Sequence, residues 1–164
     1  MSANDLSALL WRERELLELL VFKLEEEQLL LTAGRSKWLH QATREVEAVL
    51  ARLRTSGIER TVEASSVAIE WGISEEATLR QLVEAAPSDM WRDVLQSHLS
   101  ALTALTARIA DVRDTNMTYL RAATRATQET LATLDTEPAR GYDGRGAHAP
   151  AGAGAVAHLI DRQA

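Results

Sequence analysis

The sequence predicts an all-α protein: an elongated antiparallel bundle or coiled coil of three long helices plus one short helix, followed by a disordered C-terminal tail. Three observations carry this. Alanine, leucine, glutamate, arginine and glutamine are abundant while aromatics make up only 4% of the chain, a profile of helix formers rather than strand formers. Glycine and proline are rare before residue 138. Apolar residues recur every three or four positions, the spacing that lines up one face of a helix.

The first helix is expected to start after Asn4 or Asp5, either of which suits a cap, and to run to about Thr32. Leu6, Leu9, Leu10, Leu16, Leu17, Leu20, Leu24 and Leu31 form its apolar face, and Glu13 and Glu27 fall on the same stripe. Two readings of these acids stand open: solvated edge positions, or partly buried partners of an arginine on a neighbouring helix, fixing register. Ala33-Gly34-Arg35-Ser36 is a tight connection, with Gly34 as left-handed C-terminal cap and Ser36 as the next N-cap. So short a link makes antiparallel neighbours.

The second helix is expected over Lys37 to Trp71, with Leu39, Val46, Leu50, Leu53, Val67 and Trp71 inward; Gly57 interrupts it, as a lone mid-helix glycine that costs about 1 kcal/mol and means little, or as the mark of a bend or a close helix contact. Gly72 ends it. Glu75 to Ala86, capped by Ser74, reads as a short lid with Leu79, Leu82 and Val83 facing inward.

The longest stretch runs from Pro87 to Leu134 without an internal glycine or proline. Leu95, Leu99, Leu102, Leu105, Ile109, Val112, Tyr119, Leu120, Ala123, Leu131 and Leu134 keep the helical period. At the usual rise it measures about 70 Å, against roughly 40 and 55 Å for the first two helices. Its C-terminal end, around Thr124 to Leu134, is therefore expected to lack an intramolecular partner. In this topology Trp11, Trp71 and Trp91 gather at one end of the bundle and Trp38 sits at the other. The helical domain spans 1–137; residues 138–164, rich in glycine and alanine, form the tail.

The net charge of -6 comes with no basic patch, so nucleic acid and anionic membrane are poor partners. Cysteine is absent, which removes disulfides and thiolate chemistry. Met1 to Arg14 has no basic lead and a broken apolar run, unlike a signal peptide, and no run is long enough to span a membrane, so a cytoplasmic protein without membrane insertion is expected. Catalytic groups do not converge. His40, His98, His148 and His158 belong to no Glu-x-x-His pair, and His98 reads as a solvated or edge histidine. Gly141-Tyr-Asp-Gly-Arg-Gly146 follows a helix rather than a strand and lacks the lysine of a phosphate loop. Neither catalysis nor any cofactor or metal is expected.

The order of features resembles the FlgN family of flagellar export chaperones. The matching pieces are Leu9-Leu10-x-x-Glu13-x-x-Leu16-Leu17-x-x-Leu20-x-x-x-Leu24-x-x-Glu27, the Gly34 turn, Glu59-Arg60, Trp71-Gly72-Ile73, Thr78-Leu79-x-x-Leu82, Asn116 and Tyr142-Asp143-x-x-Gly146. The resemblance implies a cytoplasmic chaperone that binds the C-terminal segments of hook-filament junction proteins, keeps them unassembled and delivers them to export gate and ATPase components. It implies Leu120, Ala123, Thr127, Leu131 and Leu134 as client-facing positions and Tyr142 as the gate contact. In one departure, Tyr119 stands where relatives often carry a second asparagine.

The residues point the same way by physical argument. An unpartnered amphipathic end and a helical client each have an apolar stripe that neither buries alone. The alternative is a structural coiled-coil protein that self-associates through its long C-terminal helix, with a weak homodimer as the intermediate case. A helical-bundle enzyme is a third reading, told apart by bound metal or cofactor.

Overall fold

A computed structural model describes residues 2–136, with side chains to Leu134. Four helices make up the described chain, with no strand among them: α1 (Ala3–Thr32), α2 (Ser36–Glu70), α3 (Leu79–Glu84) and α4 (Asp89–Thr136). The chain divides into two compact units, Met1–Ala122 and Ala123–Ala164. Tyr142, the glycine-rich tail and the domain boundary at 137 lie outside the described residues.

Chain ends and turns follow local chemistry, with three shifts from the expected boundaries. α1 is capped by Ser2 rather than Asn4 or Asp5. Asp5 sits three residues in, where its carboxylate accepts from the Ser2 backbone N–H at 2.9 Å and from the Ser2 hydroxyl at 3.0 Å. These bonds, the backbone one foremost, hold the Asp5 carboxyl below its usual value. Ser36 is the first residue of α2 and makes no side-chain cap; Arg35 occupies the cap position. The short element begins at Leu79 instead of Glu75, because Thr78 and Gln81 form the reciprocal capping pair that starts α3. Ser74 closes a turn by accepting from the Glu76 N–H.

Gly34 and Gly72 both take positive φ, 63° and 74°. Each terminates its helix in the same way: the N–H two residues past the cap reaches back five residues, Arg35 to the Leu30 carbonyl and Ile73 to the Ala68 carbonyl. Gly57 behaves differently. A Cβ there would meet nothing within 4 Å, so it marks no close helix contact, and α2 continues through it.

Within Met1–Ala122, α1 and α2 are antiparallel. Lys23 pairs with Glu45 at 2.6 Å, and nearer the other end Glu13 pairs with Arg60 at 2.8 Å. α4 runs parallel to α1, with Ser7 beside His98 at one end and Leu24 beside Asn116 at the other. The core is in two parts. Leu6, Leu10, Val67, Ala68, Leu82, Val83 and Leu95 form one, with Trp71 against it. Leu20, Leu24, Val49 and Val112 form the other. α3 contributes Leu82 and Val83 to the first cluster, as a lid on that end should. Trp91 stands one turn ahead of Leu95, and Trp11 meets His98 edge to face at 5.2 Å. Trp38 lies beside Leu29 and Leu30 near the α1–α2 turn, so the tryptophans are distributed as the topology demands.

Between the two clusters the core is polar. On α2 the buried positions step by seven through Ala42, Val49, Ser56 and Glu63, so a serine and a glutamate occupy seam positions. Glu13 and Arg14 of α1 and His98 of α4 belong to the same layer. Seven of the eight buried side-chain atoms without a hydrogen-bond partner among the described residues lie in this layer, on Glu13, Arg14, Ser56, Arg60, Glu63 and His98. Glu13 resolves to the buried-pair reading, although its contact with Arg60 is ionic rather than a well-aligned hydrogen bond. Glu27 is buried as well, but its partners are Thr43 and Asn116 and not an arginine.

His98 corrects the expectation of an edge residue. It is buried, with the Ser7 hydroxyl 3.1 Å from Nε2. Burial first, and the Arg14 charge second, push its pKa below the ordinary 6.5.

Candidate functional site

The C-terminal part of α4 is built from alanine, threonine and widely spaced leucines, good or tolerable helix residues with nothing to break the helix. Asn116 and Val112 are the last buried residues of α4. Leu120 is half-buried, and every described side chain from Arg121 to Leu134 is exposed. Leu131 and Leu134 are 57% and 63% exposed, values at which a leucine keeps most of its surface in water. The turns expected to lack an internal partner are exposed among the described residues.

Leu120, Ala123, Thr127, Leu131 and Leu134 are spaced by three or four residues along one continuous helix, so the helical period puts them on one face. The threonine on this face is less polar than its name suggests: the Thr127 hydroxyl donates to the Ala123 carbonyl at 3.0 Å. A hydroxyl turned back onto its own helix leaves the methyl group outward. The face is thus a shallow apolar stripe, anchored by leucines and evened out by methyls. Its chemistry is that of contact. Among the described residues no cluster of His, Asp or Glu is placed to hold a metal ion, and no helix is long and apolar enough to cross a membrane.

Of the site residues named from sequence, five share this stripe, and Tyr142 lies outside the described residues. A second exposed apolar surface went unnoticed in the sequence. Ile58 and Val62 of α2 are largely exposed and border a groove against α1. The signal was present as an i, i+4 pair of β-branched residues off the main stripe, but on a mixed helix such a pair reads as scattered surface.

Comparison with protein families gives a match to the FlgN protein family over residues 1–150. The matched range takes in all four helices and extends past Tyr142. Comparison with curated proteins and with solved structures gives no significant match.

Proposed function

The chain belongs to the FlgN family, whose members act as flagellar export chaperones, and on that premise we propose that it binds the C-terminal helical segments of hook-filament junction proteins through α4. In this reading it works in the cytoplasm, keeps its clients unassembled and hands them to export gate and ATPase components. The observation that supports it is the apolar stripe on one face of α4, where Ala123, Thr127, Leu131 and Leu134 are exposed and Leu120 is half-buried. An amphipathic client helix laid on that face buries both stripes at once. Dilution of the leucines by alanine and threonine keeps the patch small, which suits a chaperone that must stay dissolved when empty and hold its client reversibly.

The test uses the full chain and C-terminal peptides of junction proteins. Leu131→Asp with Leu134→Asp removes two apolar anchors, each contributing about 1.5 kcal/mol or more when covered. Calorimetry should then show at least tenfold weaker binding while circular dichroism keeps its helical amplitude. Unchanged affinity rejects α4 as the client face. Tyr142 is assigned to the export gate, so Tyr142→Ala should spare client binding and lower export of the clients; normal export removes that role.

A second reading rests on the same stripe: α4 self-associates and the protein is a structural coiled coil. Light scattering separates the two. A dimer that persists on dilution to nanomolar chain supports self-association, and a monomer that forms a complex only with client peptide supports the chaperone.

A further inference from the structure

α1 and α2 enclose a second apolar surface, a groove of about 620 Å³ lined by residues of these two helices alone. Its walls are Ala8 and Leu9 on one side and Ile58 and Val62 on the other, with Ile58 68% and Val62 57% exposed. Ile58 and Val62 are an i, i+4 pair spanning about one helical turn, with Ala8 and Leu9 facing them from α1, and a ridge so spaced accepts the side chains of another helix.

Glu63 lines the same groove at 1% exposure, and its Oε1 has no hydrogen-bond partner among the described residues. The nearest cation along α2, Arg60, is held at 2.8 Å by Glu13. At the rim Asp5 and Glu59 are acidic. Among the described residues the one basic group at the rim, Arg12, already sits 3.5 Å from Glu59. A buried carboxylate without a donor is costly to leave unmatched, and here it lies beneath an open apolar cleft with acidic edges.

We infer that the α1–α2 groove is a docking site, distinct from the α4 stripe, for an amphipathic helix of a partner protein that sets an arginine or lysine among its apolar anchors. The anchors cover Ile58, Val62 and Leu9, and the basic group supplies the donor that Glu63 lacks. The acidic rim favours the same charge on the incoming helix and disfavours an acidic one. The inference stands whether or not α4 binds junction proteins, because it uses none of the α4 residues.

The experiment is methyl nuclear magnetic resonance on the full chain. Three helical peptides with leucines at positions 1, 4, 8 and 11 are titrated, with arginine, glutamine or glutamate at position 5. The arginine peptide should shift the Ile58 and Val62 methyl signals and bind at least tenfold more tightly than the other two, the usual gain from a charge-assisted hydrogen bond. Glu63→Gln should erase the preference while keeping helical amplitude. Ile58→Asp with Val62→Asp, both on exposed positions, should remove binding of all three without affecting the fold.

Equal binding of the three peptides, or shifts at Leu131 and Leu134 instead, overturns the inference. So do two observations on the protein alone. Ile58 and Val62 signals that depend on chain concentration make the occupant a second copy. Signals that move when Leu159→Asp and Ile160→Asp are introduced make it the chain's own C-terminal segment.

Discussion

The side-chain amide of Asn116 donates to the main-chain carbonyl of Leu24 at 2.9 Å, tying α4 to α1 ninety-two residues away in the chain. The same amide reaches Glu27 at 3.2 Å, and Glu27 in turn accepts from the Thr43 hydroxyl of α2 at 2.9 Å. One carboxylate therefore gathers donors from two neighbouring helices, at the last buried position of α4. Asn116→Ala should destabilise the fold by about 1–3 kcal/mol, because Glu27 stays buried with one donor fewer. Asn116→Asp should cost more, since it sets a second carboxylate beside the first. That excess should shrink as the pH falls through the carboxylate range. Urea unfolding at neutral and acid pH checks both variants.

His98 gives stability a pH dependence of definite sign. In the unfolded chain a histidine takes its proton near 6.5, whereas burial and the Arg14 charge make the folded protein take it only at lower pH. The unfolded state thus binds more protons in between, so this contribution is fully present above pH 6.5 and is lost as the pH drops below it. His98→Gln should flatten the stability profile below pH 6.5 relative to the parent. Paired urea titrations from pH 7.5 to 5 give the difference.

Gly57 lies inside α2 with open space where its side chain would be. Gly57→Ala should raise stability by about 0.5–1 kcal/mol, the entropy a mid-helix glycine wastes. A thermal midpoint that rises by a few degrees, with the oligomeric state unchanged, is the expected result.

Leu82 is fully buried and is the main hold of the six-residue α3 on the core. A helix that short has no stability of its own. Leu82→Ala should cost about 2–5 kcal/mol, and amide exchange should show residues 79–84 losing protection first. Leu79→Ala, at a partly buried position, should cost less in the same measurement.

What the residues made legible followed from local rules. The four helices could be placed because their apolar spacing repeats, Gly34 and Gly72 take a backbone turn few other residues accept, and Pro87-Ser88-Asp89 announces α4. The bare face from Ala123 to Leu134 was also foreseeable, from helix lengths and an apolar stripe with nothing left to pair it. Boundaries slipped where two candidate caps competed, as at Ser2 against Asn4 and Thr78 against Ser74. There the choice rests on which side chain finds a reciprocal partner three residues on.

The sequence by itself determined the helical class and the antiparallel α1–α2 turn, because each depends on residues close together in the chain, and the exposed end of α4, because helix lengths can be compared without knowing how the helices pack. Only the tertiary structure decided which polar residues go inside. Ser56, Glu63, Glu27, His98 and Asn116 look like surface residues one at a time. They are buried because the neighbouring helices close over them, and whether each finds a partner depends on residues as distant as Leu24 from Asn116 or Ser7 from His98. Polarity is a property of one residue; burial and its compensation belong to the helices that meet there.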